Sequence, residues 1–370
     1  MAKSVDYGLG PQVFPRGWFV VAESRELDDG PLAVQFFGKA FALYRGKSGR
    51  PVMLDAYCKH MGTHLTANKT AYIVTTGQQI EGDSIRCPYH AWRYGPDGNV
   101  DDIPYHDGPC PKSAKIGAYL VRELMGCIIA WYDPAGGEPD FEPPYLAAWD
   151  DPRCVHWQLD HLGELDLHNI EIMDNMADLR HLGPTHGSPC EYFENEFRDQ
   201  LLIQRQGGFL SLYQAHLDTV TWYTGPGILL SKQYFAGQEM YEFIAVTPVA
   251  DGISKAWHGV TLLGQNSPPA AEDIAAQREA QQSALETLSA DFEIWQNKLP
   301  AIHIMQMKKD GPFNKVRQWM SQFYMRREQA GSIRAELNGV YAVRDFPQPD
   351  NRLRERGFEA DCFCSVAANR

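Results

Sequence analysis

The sequence contains no run of about 18 consecutive apolar residues, and its first twenty residues lack a basic stretch followed by an apolar one. A membrane-spanning helix and a secretory leader are therefore not expected, and the chain reads as a soluble, cytoplasmic protein with no membrane partner. Excess positive charge is also missing. Lys plus Arg number 34 against 47 for Asp plus Glu, a formal charge of −13, which disfavours nucleic acid and anionic lipid as partners. Internal repeats and low-complexity tracts are absent. So is the cysteine density of a small disulfide scaffold: eight cysteines are scattered over 370 residues, and a reducing compartment is expected.

What is present is ordinary globular composition, 44% hydrophobic and 22% charged, in a chain long enough for two cores. Residues 31–132 read as short strands with turn signals, among them the hairpin signal Pro96-Asp97-Gly98-Asn99. The Pro- and Gly-rich stretch Asp133 to Pro144 looks like a boundary, which predicts domains over 1–145 and 146–370. Behind it, Ile172, Met176 and Leu179 recur at helical spacing between Glu164 and Leu182, with Glu171, Asn175, Asp178 and His181 on the opposite stripe. Strand texture returns from Leu201 to Leu263, and Pro269 to Asn297 reads as a long helix. The order predicts an all-β first domain and an α+β second domain, an antiparallel sheet with helices in a helix-grip-like arrangement.

The sharpest chemical signal is Cys58-Lys59-His60 followed by Cys87-Pro88-Tyr89-His90, with residues 61 to 86, 26 in all, between the pairs. Each pair offers one thiolate and one imidazole. A Rieske [2Fe-2S] centre needs two Cys on one iron and two His on the other, and this order supplies them on two short loops. A structural zinc ion would accept the same four atoms, but zinc motifs usually pair Cys with Cys and His with His. Gly62, Pro88, Tyr89 and Trp92 around the pairs resemble Rieske loops. The other cysteines read as small buried apolar residues.

A second constellation lies downstream, in Asn175 to His186. His181 and His186 are five apart and cannot share one straight helical face, so Gly183-Pro184 is expected to end the helix and let His186 swing back toward His181. A distant carboxylate would complete a two-histidine, one-carboxylate iron site with positions open for O₂. Asp310, in Lys308-Lys309-Asp310-Gly311-Pro312, is the candidate, with Asp291 and Glu293 as rivals.

Taken together, C-x-H, C-x2-H and N-x2-D-x2-H-x4-H resemble the Rieske non-haem iron oxygenase family. Arg16-Gly17-Trp18, Leu54 to Cys58, Asp102 to Tyr105, Glu293-Ile294-Trp295 and Gln322-Phe323-Tyr324 are most similar to the oxygenase components of the 3-ketosteroid 9α-hydroxylase family. The resemblance implies a cluster on Cys58, His60, Cys87 and His90, and a mononuclear Fe(II) on His181, His186 and Asp310. It implies roles in catalysis for Asp178 and Asn175, with Asp178 linking His90 to His181. It further implies electrons from NADH or NADPH through a flavin/iron–sulfur reductase or ferredoxin, a head-to-tail homotrimer, and O₂-dependent hydroxylation of a hydrophobic, steroid-like polycyclic substrate. Aromatic, N- or O-methylated and alkaloid-like substrates are the alternatives. Two features depart from that family: an insertion near Asn68 to Gln79, and a Leu182 to Thr185 linker without aromatics.

Two other classes compete, a lone Rieske electron carrier and a zinc-stabilised binding protein. Metal analysis of the purified chain separates them: an oxygenase should hold about three irons, a carrier about two and a zinc protein none.

Overall fold

Alternating apolar residues punctuated by turn formers do fold as short antiparallel strands in the first part of the chain. The computed structural model describes residues 1–370 except 212, 351–357, 360 and 366–370. It divides into two compact units, Val20–Tyr132 and a second made of Met1–Phe19 with Asp133–Arg370. The division differs at both ends from the expected 145/146 boundary. The reason is visible in the second unit itself, where Trp18 donates its indole N–H to the Phe141 carbonyl at 2.7 Å and Arg16 pairs with Asp140 at 3.3 Å. The first 19 residues and the Pro/Gly stretch thus brace each other.

In the Val20–Tyr132 unit one four-stranded sheet runs in the order Leu32–Phe36, Lys39–Arg45, Pro51–Asp55, Ala118–Tyr119, and another in the order Ile80–Glu81, Ser84–Arg86, Arg93–Tyr94, Val100–Asp102. Their shared core buries Tyr44, Leu54, Ile85 and Tyr94 completely, with Cys58 and Cys87 inside the same cluster. The expected hairpin forms between Arg93–Tyr94 and Val100–Asp102, its turn stapled by Asp97 Oδ1 accepting from the Asn99 N–H at 3.0 Å. The insertion folds as a short exposed helix, Tyr72–Thr75, tied back by Gln79, which donates to the Leu65 carbonyl at 2.6 Å.

The second unit is organised by one antiparallel sheet of nine strands among the described residues. Its order is Cys154–Val155, Ile253–Leu263, Gln238–Ala250, Ile228–Phe235, Ala215–Thr224, Leu201–Leu210, Tyr192–Arg198, Gly339–Ala342, with Asp160–Leu165 also paired to Ile253–Leu263. The long helix spans Ala271–Asn297 and lies on the Ile253–Leu263 strand. Gln277 donates to the Val260 carbonyl at 2.6 Å, and Gln281 accepts from the Val260 N–H at 3.2 Å. No helix among the described residues is long and apolar enough to cross a membrane.

The helix expected over Glu164 to Leu182 does not form as one element. Asp160–Leu165 is a strand, Asn169–Met173 a short helix continued by a 3₁₀ turn to Met176, and Leu182–His186 a separate single turn. Asn and Asp side chains offer the backbone local alternatives to the helical ladder. Asp178 does so here, its Oδ1 accepting from the N–H groups of Arg180 and His181.

Gly98 is the residue this packing cannot vary. Its φ is +77°, and an added Cβ would lie 2.2 Å from the Ile116 carbonyl oxygen. Gly98→Ala should cost roughly 1–3 kcal/mol, seen as a lowered melting temperature of the Val20–Tyr132 unit by calorimetry.

Candidate functional site

The two Cys/His loops of the first unit share one backbone solution. After Cys58 the chain turns so that the Gly62 N–H donates to the Cys58 carbonyl at 2.9 Å; after Cys87 the Ala91 N–H donates to the Cys87 carbonyl at 3.0 Å. Both closing residues have positive φ, +69° at Gly62 and +58° at Ala91. Ala91 holds this conformation although it has a Cβ, so the surrounding loop dictates it. The Cys58 and Cys87 N–H groups in turn donate to the Thr63 and Trp92 carbonyls, both at 2.9 Å.

Inside this frame the sulfurs and imidazoles face different environments. Cys58 and Cys87 are buried, whereas His90 is half-buried and His60 exposed. The His60 and His90 ring centres lie 4.7 Å apart, and Trp92 stacks on His60 at 4.7 Å. The Cys58 thiol is lowered to about 5, first by its hydrogen bond with Cys87, then by the Tyr94 hydroxyl and the backbone N–H groups of His60 and Met61. The same contact with Cys58, together with burial, pushes Cys87 up. Tyr94 donates to the Cys58 sulfur at 3.1 Å and accepts from the Lys59 N–H at 2.8 Å. Thiols aimed at each other, amide groups aimed at sulfur, and two imidazoles side by side at the rim are a donor set that fits a [2Fe-2S] cluster.

In the second unit His181 and His186 bracket the single helical turn Leu182–His186. Pro184 sits in that turn's first residues, where its missing N–H costs nothing. It therefore opens a helical turn where the sequence suggested it would end one. Gly187, with φ +66°, closes the turn, and the imidazole centres finish 5.2 Å apart. His181 Nδ1 is engaged with the Asp178 carbonyl at 2.5 Å, which leaves Nε2 facing inward.

The carboxylate that meets them is Asp291. Its oxygens lie 3.3 Å from His186 Nε2 and 3.9 Å from His181 Nε2, and one donor atom from each of the three residues lies within 4.8 Å of the others. Asp310, the favoured candidate from sequence, is not brought there. Its carboxylate closes its own turn by accepting from the Met307 N–H at 2.7 Å. The neighbouring Lys309 carbonyl is held by Arg180, and Gly311 lies flush on the Ala177 carbonyl. Glu293 is exposed, two residues and about 200° of helix away from Asp291. A signal for Asp291 was available: it continues the inward stripe of Ala276, Ala280, Ala284, Leu288 and Trp295, an acidic residue at an apolar helical period. Two imidazoles and a buried carboxylate suit a 2-His-1-carboxylate iron site. His186 Nδ1 is buried without a hydrogen-bond partner among the described residues.

These three groups open on a cavity of about 820 Å³ between the long helix and the sheet. Asn175 lines it, while Asp178 is a third exposed, its Oδ1 capping the turn and its Oδ2 3.8 Å from His181 Nδ1. Sequence reasoning missed the supports beneath. Asn195 and Gln204 both donate to the Met176 carbonyl, at 2.7 and 3.0 Å, and so pin the segment that carries Asp178 and His181.

Residues 17–119 match the Rieske [2Fe-2S] domain, and residues 130–324 match the 3-ketosteroid 9alpha-hydroxylase C-terminal domain. The chain is 28% identical to a probable 3-ketosteroid-9-alpha-monooxygenase oxygenase component of Rhodococcus rhodochrous, an alignment covering 100% of this chain and 92% of the relative. It is 27% identical to cholesterol 7-desaturase nvd 1 of Ciona intestinalis, over 88% of this chain and 72% of that protein. The fold resembles dicamba monooxygenase bound to dicamba, with a TM-score of 0.66 at 17% identity over 85% of this chain and 98% of that one.

The Tyr94 hydroxyl is placed to tune the cluster, because a hydrogen bond to sulfur stabilises the more negative, reduced state. Tyr94→Phe should keep the [2Fe-2S] absorption and lower its reduction potential by on the order of 40 mV per kcal/mol of hydrogen bond lost, measured by potentiometric titration.

Proposed function

We propose a function from one premise: this chain belongs to the 3-ketosteroid 9alpha-hydroxylase family of Rieske oxygenases. The chain is an oxygenase component with monooxygenase chemistry, and its substrate is a hydrophobic, steroid-like polycyclic molecule. Cys58 and Cys87 would hold one iron of the cluster and His60 and His90 the other. His181, His186 and Asp291 would hold the mononuclear iron. When bound, the two centres supply electron storage and O₂ activation, which no side chain can provide.

The protein's own part is positioning and exclusion of water. Burial of the thiol side protects the cluster from solvent, while the exposed His60 edge offers a face for electron entry or exit. A flavin/iron–sulfur reductase or ferredoxin drawing on NADH or NADPH would supply that face, and a cytoplasmic setting would suit both. In a homotrimer, the Asp178 carboxylate would link His90 of a neighbouring copy to His181, orienting both imidazoles. Asn175, on the cavity wall, would help hold substrate beside the metal.

One observation carries the reading: His181, His186 and Asp291 converge on the wall of a cavity within the size range of small-molecule sites. Asp291→Ala should lower iron from about three to about two per chain, with the cluster spectrum unchanged and turnover lost. Asp310→Ala should retain all the iron. Elemental analysis of both variants checks this, and the opposite pattern would return the third ligand to Asp310.

A further inference from the structure

The cavity floor is less apolar than a steroid skeleton requires. Across four adjacent strands, Gln204 pairs with Thr221, Thr221 with Ser231 and Ser231 with Glu242 in cross-strand register, and all four face the cavity. The row ends in a carboxylate. On its apolar flank lie Tyr223, Leu229 and Ile244, also in register and also lining the cavity.

Behind Glu242 stands a fully buried histidine. His258 Nε2 lies 3.2 Å from Glu242 Oε1, and its Nδ1 lies 2.9 Å from Asp160 Oδ2. Asp160 is held by Gln281 of the long helix at 3.0 Å, and Gln233 donates to Glu242 Oε2 at 2.7 Å. Burial alone would depress His258, but the hydrogen bonds and charges of Asp160 and Glu242 outweigh it and raise it to about 9. His258 thus favours its protonated form and is shared between the two carboxylates, Asp160 and Glu242. A carboxylate offers about four lone-pair positions; one on each oxygen is taken, so Glu242 retains acceptor capacity toward the cavity.

Such a group is an acceptor fixed in place by its neighbours. It repels a carbonyl or carboxylate oxygen, and it suits an O–H donor. We propose that Glu242, fixed by His258, Asp160 and Gln233, is a substrate-specificity residue that selects a polycyclic substrate bearing a hydroxyl over the corresponding ketone. The inference rests on the oxygenase reading above and deepens it: the printed activities of the relatives concern both a ketosteroid and a sterol, and the floor of this cavity favours the alcohol.

The test is a binding titration of the full-length, cluster- and iron-loaded protein. A 3-hydroxysteroid and the 3-ketosteroid of the same skeleton are added separately, with quenching of tryptophan fluorescence as the readout, since Trp295 lines the cavity. The hydroxyl compound should bind about tenfold or more tightly than the ketone. Glu242→Gln, which replaces one acceptor by an amide donor, should bring the two within about threefold while retaining iron. Equal or tighter binding of the ketone by the unaltered protein, binding of neither compound, or a ratio unchanged in Glu242→Gln would each overturn the assignment. Should Glu242→Gln fail to fold, the ratio for the unaltered protein still decides. Iron content and the reduced-state paramagnetic signal of the same samples report on the oxygenase reading separately, so an iron-replete protein without the hydroxyl preference would sink the subsite alone.

Discussion

A carboxylate buried on the inward face of a helix has to meet something that repays its lost hydration, and in this chain Asp291 meets His181 and His186. That meeting joins a strongly bent segment, a 27-residue helix and the sheet beneath them. The supports follow from it. Asn195 and Gln204 reach up from the strands to the Met176 carbonyl, Asp178 caps the turn that leads into the Leu182–His186 helix, and Gln277 and Gln281 bind the long helix to Val260. Each is a polar tie that fixes a segment bearing one of these three side chains.

The two candidate metal sites are built by opposite means. In the Val20–Tyr132 unit the Cys and His side chains sit on two short loops of the same design, with carbonyl-to-amide closures four residues apart and positive φ at the closing residue. The backbone there does most of the positioning, so local sequence carries most of the information. In the larger unit the backbone only brings the elements near one another, and side chains from separate elements finish the site. The consequence is buried thiols beneath more exposed imidazoles in one unit and a three-residue cluster beside a cavity in the other.

The cavity wall shows the same division of labour. Antiparallel register sets Gln204, Thr221, Ser231 and Glu242 in a line, because cross-strand partners share a face. The sheet thus offers a polar row with an apolar flank on one side, and the buried His258, held between Asp160 and Glu242, fixes the carboxylate that ends the row. Alignment of a long, rigid substrate would come from the apolar flank, and its polarity would be read by the row.

Sequence by itself determined the chemistry and its approximate address. Mixed Cys/His pairs on short loops, a histidine pair five apart around Gly-Pro, strand texture giving way to a long helix, and free cysteines in an acidic chain could all be read from order and spacing, since each depends on neighbours within a few residues. Tertiary structure alone decided which distant carboxylate meets the histidines and that the first 19 residues pack with the larger unit. Asp291, Glu293 and Asp310 are equally acidic as letters; what separates them is which face of a helix meets the cavity, and which carboxylate is already spent on closing its own turn. Those outcomes depend on packing between segments more than a hundred residues apart, and no local pattern encodes that competition.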